Sequence, residues 1–264
     1  MALSGSELKY LLMLQTKKGR KQERRFLAEG VRLLEAALAA DYLPVTIFYT
    51  PAAIDARGQE LVAALIKRRV SAQTISAKEC QRLSDTKTSQ GIIAVFEYEK
   101  VSLEQQLAGG SRRILICDKV GDPGNMGTLI RSAAAFHFDL VITTAGAAET
   151  TGPKTIRASM GGYFRIPVVD SVDDGELSTL VKKAGYHIYL ADVKGKYISP
   201  TLPISEKTAL VIGAETAGPG RVLAGQAHYR IKIPMSRKCE SLNAAMAGTI
   251  LMFWLSSRER TAQR

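Results

Sequence analysis

Five polar residues in three glycine-bearing loops carry the strongest indication of chemistry in this sequence of 264 residues. They are Asn125 and Arg131 in DKVGDPGNMGTLIRSAAAF, Glu215 in LVIGAETAGPG, and Ser241 and Asn243 in IPMSRKCESLNAAMAG. Each loop directly follows an apolar stretch that is typical of a buried strand. Ligands of open α/β sheets bind beyond the carboxyl ends of the strands, so the three loops are predicted to share one site. Their glycines would let the backbone approach a flat ligand without Cβ collisions.

The first loop is not a nucleotide-binding loop of a familiar kind. Its glycines are spaced GxxGxxG at Gly121, Gly124 and Gly127, whereas a dinucleotide fold needs GxGxxG and an acid at the end of the next strand. The next strand, LVITTAGAAE, has no acid at its end, and no Gly-Lys-Ser/Thr follows as in a P-loop. A dinucleotide or small-molecule enzyme built on this loop is therefore disfavoured.

Each of these residues also has a purely structural interpretation when it is taken alone. Asn125 is placed to cap the helix that follows, and Arg131 falls off the apolar stripe of that helix. Ser241 can cap the last helix, and Glu215 can be a surface acid that pairs with a basic residue. Asp118 and Asp122 beside the turn indicate turn chemistry rather than Mg²⁺, and no metal site is predicted.

The elements around these loops indicate an α/β fold. In the second half, the predicted strands alternate with helical patterns, which favours a mostly parallel sheet covered on both faces; they are RILICD, LVITTA, RIPVVD, YHIYLAD, TALVIGAE and YRIKIPM. The first hundred residues also mix helix patterns with strands, notably VTIFYT and GIIAVFEYE. The polar segment with Gly109 and Gly110 marks a boundary. We predict domains over 1–100 and 112–264 with a linker at 101–111.

Composition suggests a basic cytoplasmic protein. The formal net charge of +11 makes a polyanion the first partner to consider. Cys80, Cys117 and Cys239 show neither zinc spacing nor a disulfide framework, which fits a reducing compartment. No secretory signal is recognisable at the N-terminus. The most apolar segment, LNAAMAGTILMFWL, is shorter than the roughly 20 residues that a membrane span needs, so no membrane is expected.

The three loops, in this order, resemble the three motifs of the SpoU/TrmH family of RNA ribose 2′-O-methyltransferases, part of the SPOUT class. The matching pieces are DPGNMGTLIRSAAAF, LVIGAETAGPG and IPMSRKCESLNAAMAG, with KTIRASMGGYFRIPV resembling the segment between the first two motifs. The N-terminal RRFLAEGVRLLEAAL and TSQGIIAVF resemble a small α/β substrate-binding domain, itself similar to ribosomal proteins of the large subunit. This domain favours ribosomal RNA over tRNA as substrate.

The resemblance implies a fold, a cofactor and partners. It implies a C-terminal α/β domain with a deep trefoil knot, a homodimer whose active site lies near the interface, and S-adenosylmethionine as methyl donor. The last helix, apolar nearly all round, independently predicts burial in a core or an interface. The residues implied in cofactor binding are Leu190, Ala191, Gly213, Glu215, Gly218, Ile233, Met235, Ser241 and Leu242.

The resemblance also assigns the chemistry. It implies that Arg131 acts directly in the methyl transfer to the ribose 2′-hydroxyl. The supporting residues are Asn125, Glu215, Ser241 and Asn243, and Glu215 is a candidate for orienting Arg131. A guanidinium stays protonated, so Arg131 is expected to hold a phosphate and stabilise oxyanion charge rather than act as the base. The sequence departs from the family pattern at His137, Thr216 and Pro219, which affects the expected loop shape.

A basic run near the N-terminus is the best candidate for RNA contact. It contains Lys17, Lys18, Arg20, Lys21, Arg24 and Arg25, and its alternative is an ordinary solvated loop. A catalytically silent RNA- or ribosome-binding protein with the same fold stays open as a second hypothesis. The sequence names neither the modified nucleotide nor a housekeeping or antibiotic-resistance role.

Overall fold

The computed structural model describes residues 3–236, 238 and 241–262, the last four as backbone only. The strands are β1 (Arg25–Glu29), β2 (Thr46–Tyr49), β3 (Ser71–Thr74), β4 (Ile92–Glu97), β5 (Arg113–Asp118), β6 (Leu140–Thr144), β7 (Val168–Val172), β8 (His187–Tyr197), β9 (Thr208–Gly213) and β10 (Tyr229–Lys232). The helices are α1 (Gly5–Met13), α2 (Lys17–Glu23), α3 (Val31–Ala39), α4 (Ala56–Lys67), α5 (Ala77–Leu83), α6 (Leu103–Ala108), α7 (Pro123–Ala135), α8 (Pro153–Ser159), α9 (Asp174–Lys183), α10 (Arg221–Gly225) and α11 (Ala244–Ala262).

The chain forms two units that are discontinuous in sequence. One contains Met1–Glu99 and Thr151–Arg165, and the other contains Lys100–Thr150 and Ile166–Arg264. The fifteen-residue segment 151–165, which the sequence assigns to the second domain, thus packs with the first unit. The predicted linker at 101–111 contains α6.

The first unit is built on a mixed four-stranded sheet in the order β1-β4-β2-β3. β4 pairs antiparallel with both β1 and β2, while β2 and β3 are parallel. The two predicted strands, VTIFYT and GIIAVFEYE, are β2 and β4 at the centre of the sheet. The sequence pattern missed β1, which directly follows a charged run, and β3, whose residues SAQT are exposed or half-buried.

Aromatic rings fill one part of this unit. Phe26 and Phe96 stack with their ring centroids 5.5 Å apart, and Phe164 lies 4.8 Å from Phe96. Phe164 arrives from the 151–165 segment after Gly161, whose φ is +85° and whose Cβ would lie 2.3 Å from the Cβ of Ala36. Only glycine fits there, so Gly161 lets the segment dock its aromatic residues in this core.

The second unit is a parallel six-stranded sheet in the order β10-β8-β9-β5-β6-β7. All six strands predicted from the apolar runs are confirmed, and so is the α/β class with a mostly parallel sheet. The central strand β5 is buried at every residue, which explains its unbroken apolar pattern. The trefoil knot that the family resemblance implies stays a prediction.

Strand β8 pairs with β10 in two separate registers. Tyr189 and Leu190 face Tyr229 and Arg230, but the next two residues of β10, Ile231 and Lys232, face Lys196 and Tyr197. Residues 191–195 therefore leave the ladder with β10 while the strand continues on either side of them. No apolar periodicity reveals such a slip, and the sequence did not predict it.

The last helix, α11, has one buried and one exposed apolar face. Leu251, Met252 and Leu255 are buried, whereas Met246 and Phe253 are 57% and 58% exposed. Gly248 lets α11 lie close to α7, since a Cβ there would be 2.4 Å from Cδ2 of Leu129. Among the residues that the structure describes, no helix has both the length and the apolar character to cross a membrane.

Candidate active site

Hydrogen bonds join the loops that follow β5, β9 and β10. The Gly220 N–H donates to Oδ2 of Asp118 at 2.6 Å, which ties the loop after β9 to the end of β5. Asn125 and Asn243 extend the connection to the loop after β10. The structure therefore brings these three strand ends together in the second unit.

The helix α7 places Asn125 in this site, but not by the predicted cap. Asp122 is the N-cap, because its side chain accepts from the backbone N–H of Asn125 at 2.8 Å, and Pro123 occupies the first turn. The prediction that Asn125 caps the helix is thus wrong. Since Asp122 caps α7, the side chain of Asn125 is free to bond elsewhere.

That side chain links Glu215 to Asn243. Nδ2 of Asn125 donates to Oε1 of Glu215 at 2.8 Å, and Nδ2 of Asn243 donates to Oδ1 of Asn125 at 2.9 Å. Oε2 of Glu215 accepts from the Gly121 N–H at 3.3 Å. The order Glu215–Asn125–Asn243 has one polarity only, because an ionised carboxylate can accept but cannot donate.

Glu215 is held in its charged form. Partial burial acts to raise the pKa of this carboxyl, but the hydrogen bonds from Asn125 and from backbone N–H groups outweigh it, and the net pKa lies below the ordinary value. In the described chain, Glu215 makes neither a hydrogen bond nor an ion pair with Arg131, so the suggestion that it orients Arg131 is not supported by the geometry.

Asn243 also caps the last helix. Its Oδ1 accepts from the N–H groups of Ala245 and Met246 at 2.9 and 3.2 Å. The structural alternative for Ser241 as that cap is therefore wrong. With Asn243 as the cap, Ser241 remains exposed on the cleft described below.

Arg131 lies on the exposed side of α7. Within the part of the chain that the structure describes, its guanidinium has no hydrogen bond and no ion pair. The carboxylates of Asp118 and Glu215, at the ends of β5 and β9, accept hydrogen bonds from other groups. Arg131 thus offers a full positive charge to a ligand.

A cleft of about 940 Å³ opens along the second half of β8 and the loops after β9 and β10. Eight of the nine residues predicted to bind the cofactor line it: Ala191, Gly213, Glu215, Gly218, Ile233, Met235, Ser241 and Leu242. The exception is Leu190, whose side chain is fully buried in the core of this unit and does not reach the cleft. Tyr197, Lys194 and Lys232 also line the cleft, and the sequence did not single them out.

The loop after β9 closes tightly on itself. Ala214 and Gly218 exchange two backbone hydrogen bonds, and a Cβ at Gly213 would lie 2.3 Å from the backbone N of Pro219. Gly213 must therefore be glycine. The unusual Thr216 and Pro219 are accommodated within this closed loop.

His137 stands where the family pattern commonly has glycine. Its φ is +57°, in the left-handed region that favours glycine. The backbone conformation explains the family preference, and His137 adopts it at the end of α7.

Asp118 braces the site through hydrogen bonds to both of its carboxylate oxygens. It is fully buried, and Thr144 donates to its Oδ1 at 2.9 Å while Gly220 occupies Oδ2. In the described residues, no cluster of histidine, cysteine, aspartate and glutamate side chains has the grouping of a metal site. Cys80 and Cys117 are buried, and Cys239 lies outside the described residues.

The basic run in the first unit forms α2 rather than a loop. Lys17, Lys18 and Lys21 are exposed on it, and so is Arg24, which directly follows its last residue. Arg20 is only 4% exposed, and its Nη1 donates to the carbonyls of Leu14 and Gln15 at 3.0 and 2.7 Å. The guanidinium of Arg20 therefore stabilises the fold and is unavailable to a phosphate.

The last of the six basic residues, Arg25, belongs to β1. Its Nη2 donates to Oε2 of Glu97 on the neighbouring strand β4 at 3.1 Å, and its Nη1 donates to the hydroxyl of Tyr10. Arg25 is thus already paired within the first unit.

Two family models match the chain. The model described as the SpoU rRNA Methylase family matches residues 112–253, more than half of the sequence and all three loops. The chain belongs to this family. A second model, the MRM3-like substrate binding domain, matches residues 6–94.

Relatives of this SpoU family member match over nearly the whole chain. A 23S rRNA (guanosine(2553)-2'-O)-methyltransferase, RlmP of Bacillus subtilis, is 31% identical, and the match covers 92% of each chain. The mitochondrial rRNA methyltransferase 3 of Mus musculus is 27% identical, over 92% of this chain and 70% of its own. The crystal structure of the SpoU methyltransferase AviRb from Streptomyces viridochromogenes in complex with AdoMet has a TM-score of 0.85 at 26% identity, over 99% of this chain and 100% of that one.

Proposed function

We propose that this protein transfers a methyl group from S-adenosylmethionine to the 2′-hydroxyl of a ribose in large-subunit ribosomal RNA. The hydrogen-bonded chain Glu215–Asn125–Asn243, which joins the loops at the cleft, is the observation that carries the proposal. The names of the Bacillus subtilis and mouse relatives support ribosomal RNA as the substrate. In this proposal, residues 1–100 bind the RNA and residues 112–264 carry out the transfer.

The cleft suits S-adenosylmethionine because its lining combines apolar and polar groups. Ile233, Met235 and Leu242 offer apolar surface to an adenosine, while Ser241 offers a hydroxyl to the amino-acid part. The negative charge of Glu215 favours a positively charged sulfonium nearby. When bound, the cofactor supplies an electrophilic methyl group, and the protein's residues orient what attacks it.

Asn243 is the residue best placed to position the ligands. One N–H of its Nδ2 is fixed on Asn125, and its Oδ1 is fixed on α11, so the second N–H of Nδ2 has a defined direction. Asn243 lines the cleft, so this N–H can hold an oxygen of the ribose or of the methionine part. The Glu215–Asn125 pair keeps Asn243 in that orientation.

Arg131 acts on the RNA. Its guanidinium cannot serve as a base, since it stays protonated at neutral pH. We assign it to the phosphate next to the reacting ribose, where it stabilises the negative charge that develops on the 2′-oxygen. The hydroxyl proton passes to an oxygen of that phosphate as the oxygen–carbon bond forms and the carbon–sulfur bond breaks.

A second copy of the chain is the proposed partner in a homodimer. Met246, Ile250 and Phe253 form an exposed apolar face on α11, and Phe253 packs edge-on against Phe136 with centroids 5.8 Å apart. Monomeric proteins rarely leave such a face in water. Because α11 packs on α7, which carries Arg131, a dimer through this face would put the active site near the interface.

We also propose that the protein works in the cytoplasm. The buried free thiols of Cys80 and Cys117 suit a reducing compartment, where ribosomal RNA is modified.

Methyl transfer by the wild type and by Arg131→Ala tests the proposal. The assay uses labelled S-adenosylmethionine and an unmodified transcript of bacterial 23S rRNA, with calorimetry of cofactor binding beside it. We expect the variant to lose roughly 100- to 1,000-fold in kcat, as for removal of an oxyanion donor, with unchanged cofactor affinity. Near-normal turnover would contradict the role of Arg131, and a wild type that binds no cofactor would favour a silent RNA-binding protein.

A further inference from the structure

The segment 191–195 builds one wall of the cleft. It leaves the β8–β10 ladder between the two registers, and Ala191, Asp192, Val193 and Lys194 from it line the cleft. The hydrogen-bonded chain Glu215–Asn125–Asn243 joins the loops after β5, β9 and β10, so this wall is a separate element of the same cleft.

The wall is fixed by two local interactions. Both carboxylate oxygens of Asp192 are occupied: Oδ1 accepts from the Lys194 N–H at 2.8 Å, and Oδ2 accepts from Nη1 of Arg230 at 3.1 Å. Gly195 then returns the chain to β10 so closely that a Cβ would lie 2.6 Å from the carbonyl of Arg230. The segment is therefore held in place before any ligand binds.

An aromatic ring and two lysines stand at the base of this wall. Tyr197 is 58% exposed, and Nζ of Lys232 lies over its ring at 4.2 Å from the centroid. Lys194 and Lys232 have no ion pair with any residue that the structure describes, whereas the nearby Arg230 is paired with Asp192. The result is an exposed aromatic surface beside two uncompensated positive charges.

We propose that Tyr197, Lys194 and Lys232 form a subsite for a nucleotide of the substrate RNA beside the reacting ribose. The base stacks on the face of the Tyr197 ring opposite Lys232, and the lysines contact its phosphate. This inference rests on the proposed function, since it names how that site holds its RNA. Aromatic stacking combined with lysine contacts is the usual chemistry by which proteins hold single-stranded RNA.

The charge of this subsite favours RNA over the adenine of the cofactor. S-adenosylmethionine has an adenine that could stack, but it has no phosphate to use the two lysines. The cleft volume of about 940 Å³ is near the upper end of the roughly 300–1,000 Å³ found for small-molecule sites. A cofactor on the loops around Gly213 and Leu242 would leave the Tyr197 wall open to RNA.

Steady-state methylation of a bacterial 23S rRNA transcript by Tyr197→Ala tests the subsite, with calorimetry of cofactor binding alongside. We expect KM for the RNA to rise about tenfold, the size of one lost stacking contact, while the cofactor affinity stays at the wild-type value. Tyr197→Phe keeps the stacking face and should recover most of the loss. Val222→Ala truncates an exposed apolar side chain that is not part of the cleft lining, and it serves as the matched control.

The charges are tested through the salt dependence of RNA binding. Lys232→Gln and Lys194→Gln should each reduce the slope of log affinity against log salt by roughly 0.7, as for one phosphate contact to a single strand. Unchanged KM for RNA in Tyr197→Ala, with an active wild type, would overturn the subsite. Weaker cofactor binding in that variant would overturn it in favour of an adenine platform. An inactive wild type would instead refute the proposed function.

Discussion

At the scale of single residues, the direction of the hydrogen bonds in the Glu215–Asn125–Asn243 chain fixes the orientation of the two amide side chains. A carboxylate at its start forces every amide along it to face one way. The sequence and its family resemblance identified all three residues and placed them at one site. The sequence analysis assigned the wrong N-caps to α7 and α11. Asp122 and Asn243 are as suitable for capping as the predicted Asn125 and Ser241, and only tertiary contacts decide which residue caps the helix.

Glu215→Gln tests this polarity. The glutamine can present an N–H to Asn125, so the orientation of Asn125 and Asn243 is no longer fixed. We expect kcat to fall by roughly 10- to 100-fold, which corresponds to about 1.5–3 kcal/mol for a charged hydrogen bond. Steady-state kinetics measures the loss, and Glu206→Gln removes an exposed carboxylate of the same unit as a control. Equal kcat for the two variants would show that Glu215 does not act through the network.

His228 predicts a pH dependence of stability. It stacks on His187 with centroids 4.6 Å apart, and its Nδ1 accepts from the Ile188 N–H at 3.1 Å. Burial, followed by the charge of His187, lowers the pKa of His228 below its ordinary value of 6.5. The folded state therefore binds fewer protons than the unfolded state, and the free energy of unfolding should decrease as pH falls through about 6.5.

Urea unfolding across that pH range measures the effect. His228→Asn keeps an acceptor for the Ile188 N–H and removes the titrating group, so its free energy of unfolding should change less with pH. If the wild type and this variant lose stability in parallel, then His228 is not the group responsible.

At the scale of elements, strands with strong apolar patterns could be predicted from the sequence, whereas the change of register between β8 and β10 could not. Every strand of the second unit was found from its apolar run, since a buried parallel strand leaves no polar face. The short, half-exposed β3 and the excursion at residues 191–195 carry no such pattern. Tyr197 was missed for the same reason, because its place at the cleft depends on that excursion.

The exposed face of α11 predicts a dimer that one substitution can break. Phe253→Asp puts a charge in the centre of the apolar face, where burial would require desolvating it. We expect a dimeric wild type and a largely monomeric variant by light scattering at the same concentration. Val222→Asp charges another exposed apolar residue of this unit and should remain dimeric. A monomeric wild type would contradict the proposed homodimer.

At the scale of the whole molecule, the net charge of +11 is distributed so that part of it serves the fold. The guanidinium of Arg20 donates to backbone carbonyls, and that of Arg25 donates to Glu97. The residues of the run that face solvent are Lys17, Lys18, Lys21 and Arg24. Sequence alone predicted the basic run but could not separate these roles, because burial is decided by how α2 packs. The sequence likewise did not predict that residues 151–165 pack with the first unit, because this packing depends on contacts between residues distant in sequence.

Lys17→Gln with Lys18→Gln should weaken RNA binding in a salt-dependent way. Loss of two phosphate contacts would flatten the slope of log affinity against log salt by up to about 1.4 for single-stranded RNA. Fluorescence anisotropy on a 23S rRNA fragment measures the slope. Lys182→Gln with Lys183→Gln removes the same charge from α9 and serves as the control. A slope equal to that of the control would show that α2 does not contact RNA.

Mapping of 2′-O-methyl groups on 23S rRNA shows whether the three-loop site methylates a ribose of ribosomal RNA. An unmodified transcript is incubated with S-adenosylmethionine and either the wild type or Arg131→Ala, and every ribose is then read for methylation. We expect one methylated ribose with the wild type and none at that position with the variant. A map of the wild-type reaction identical to that of the untreated transcript would contradict this expectation.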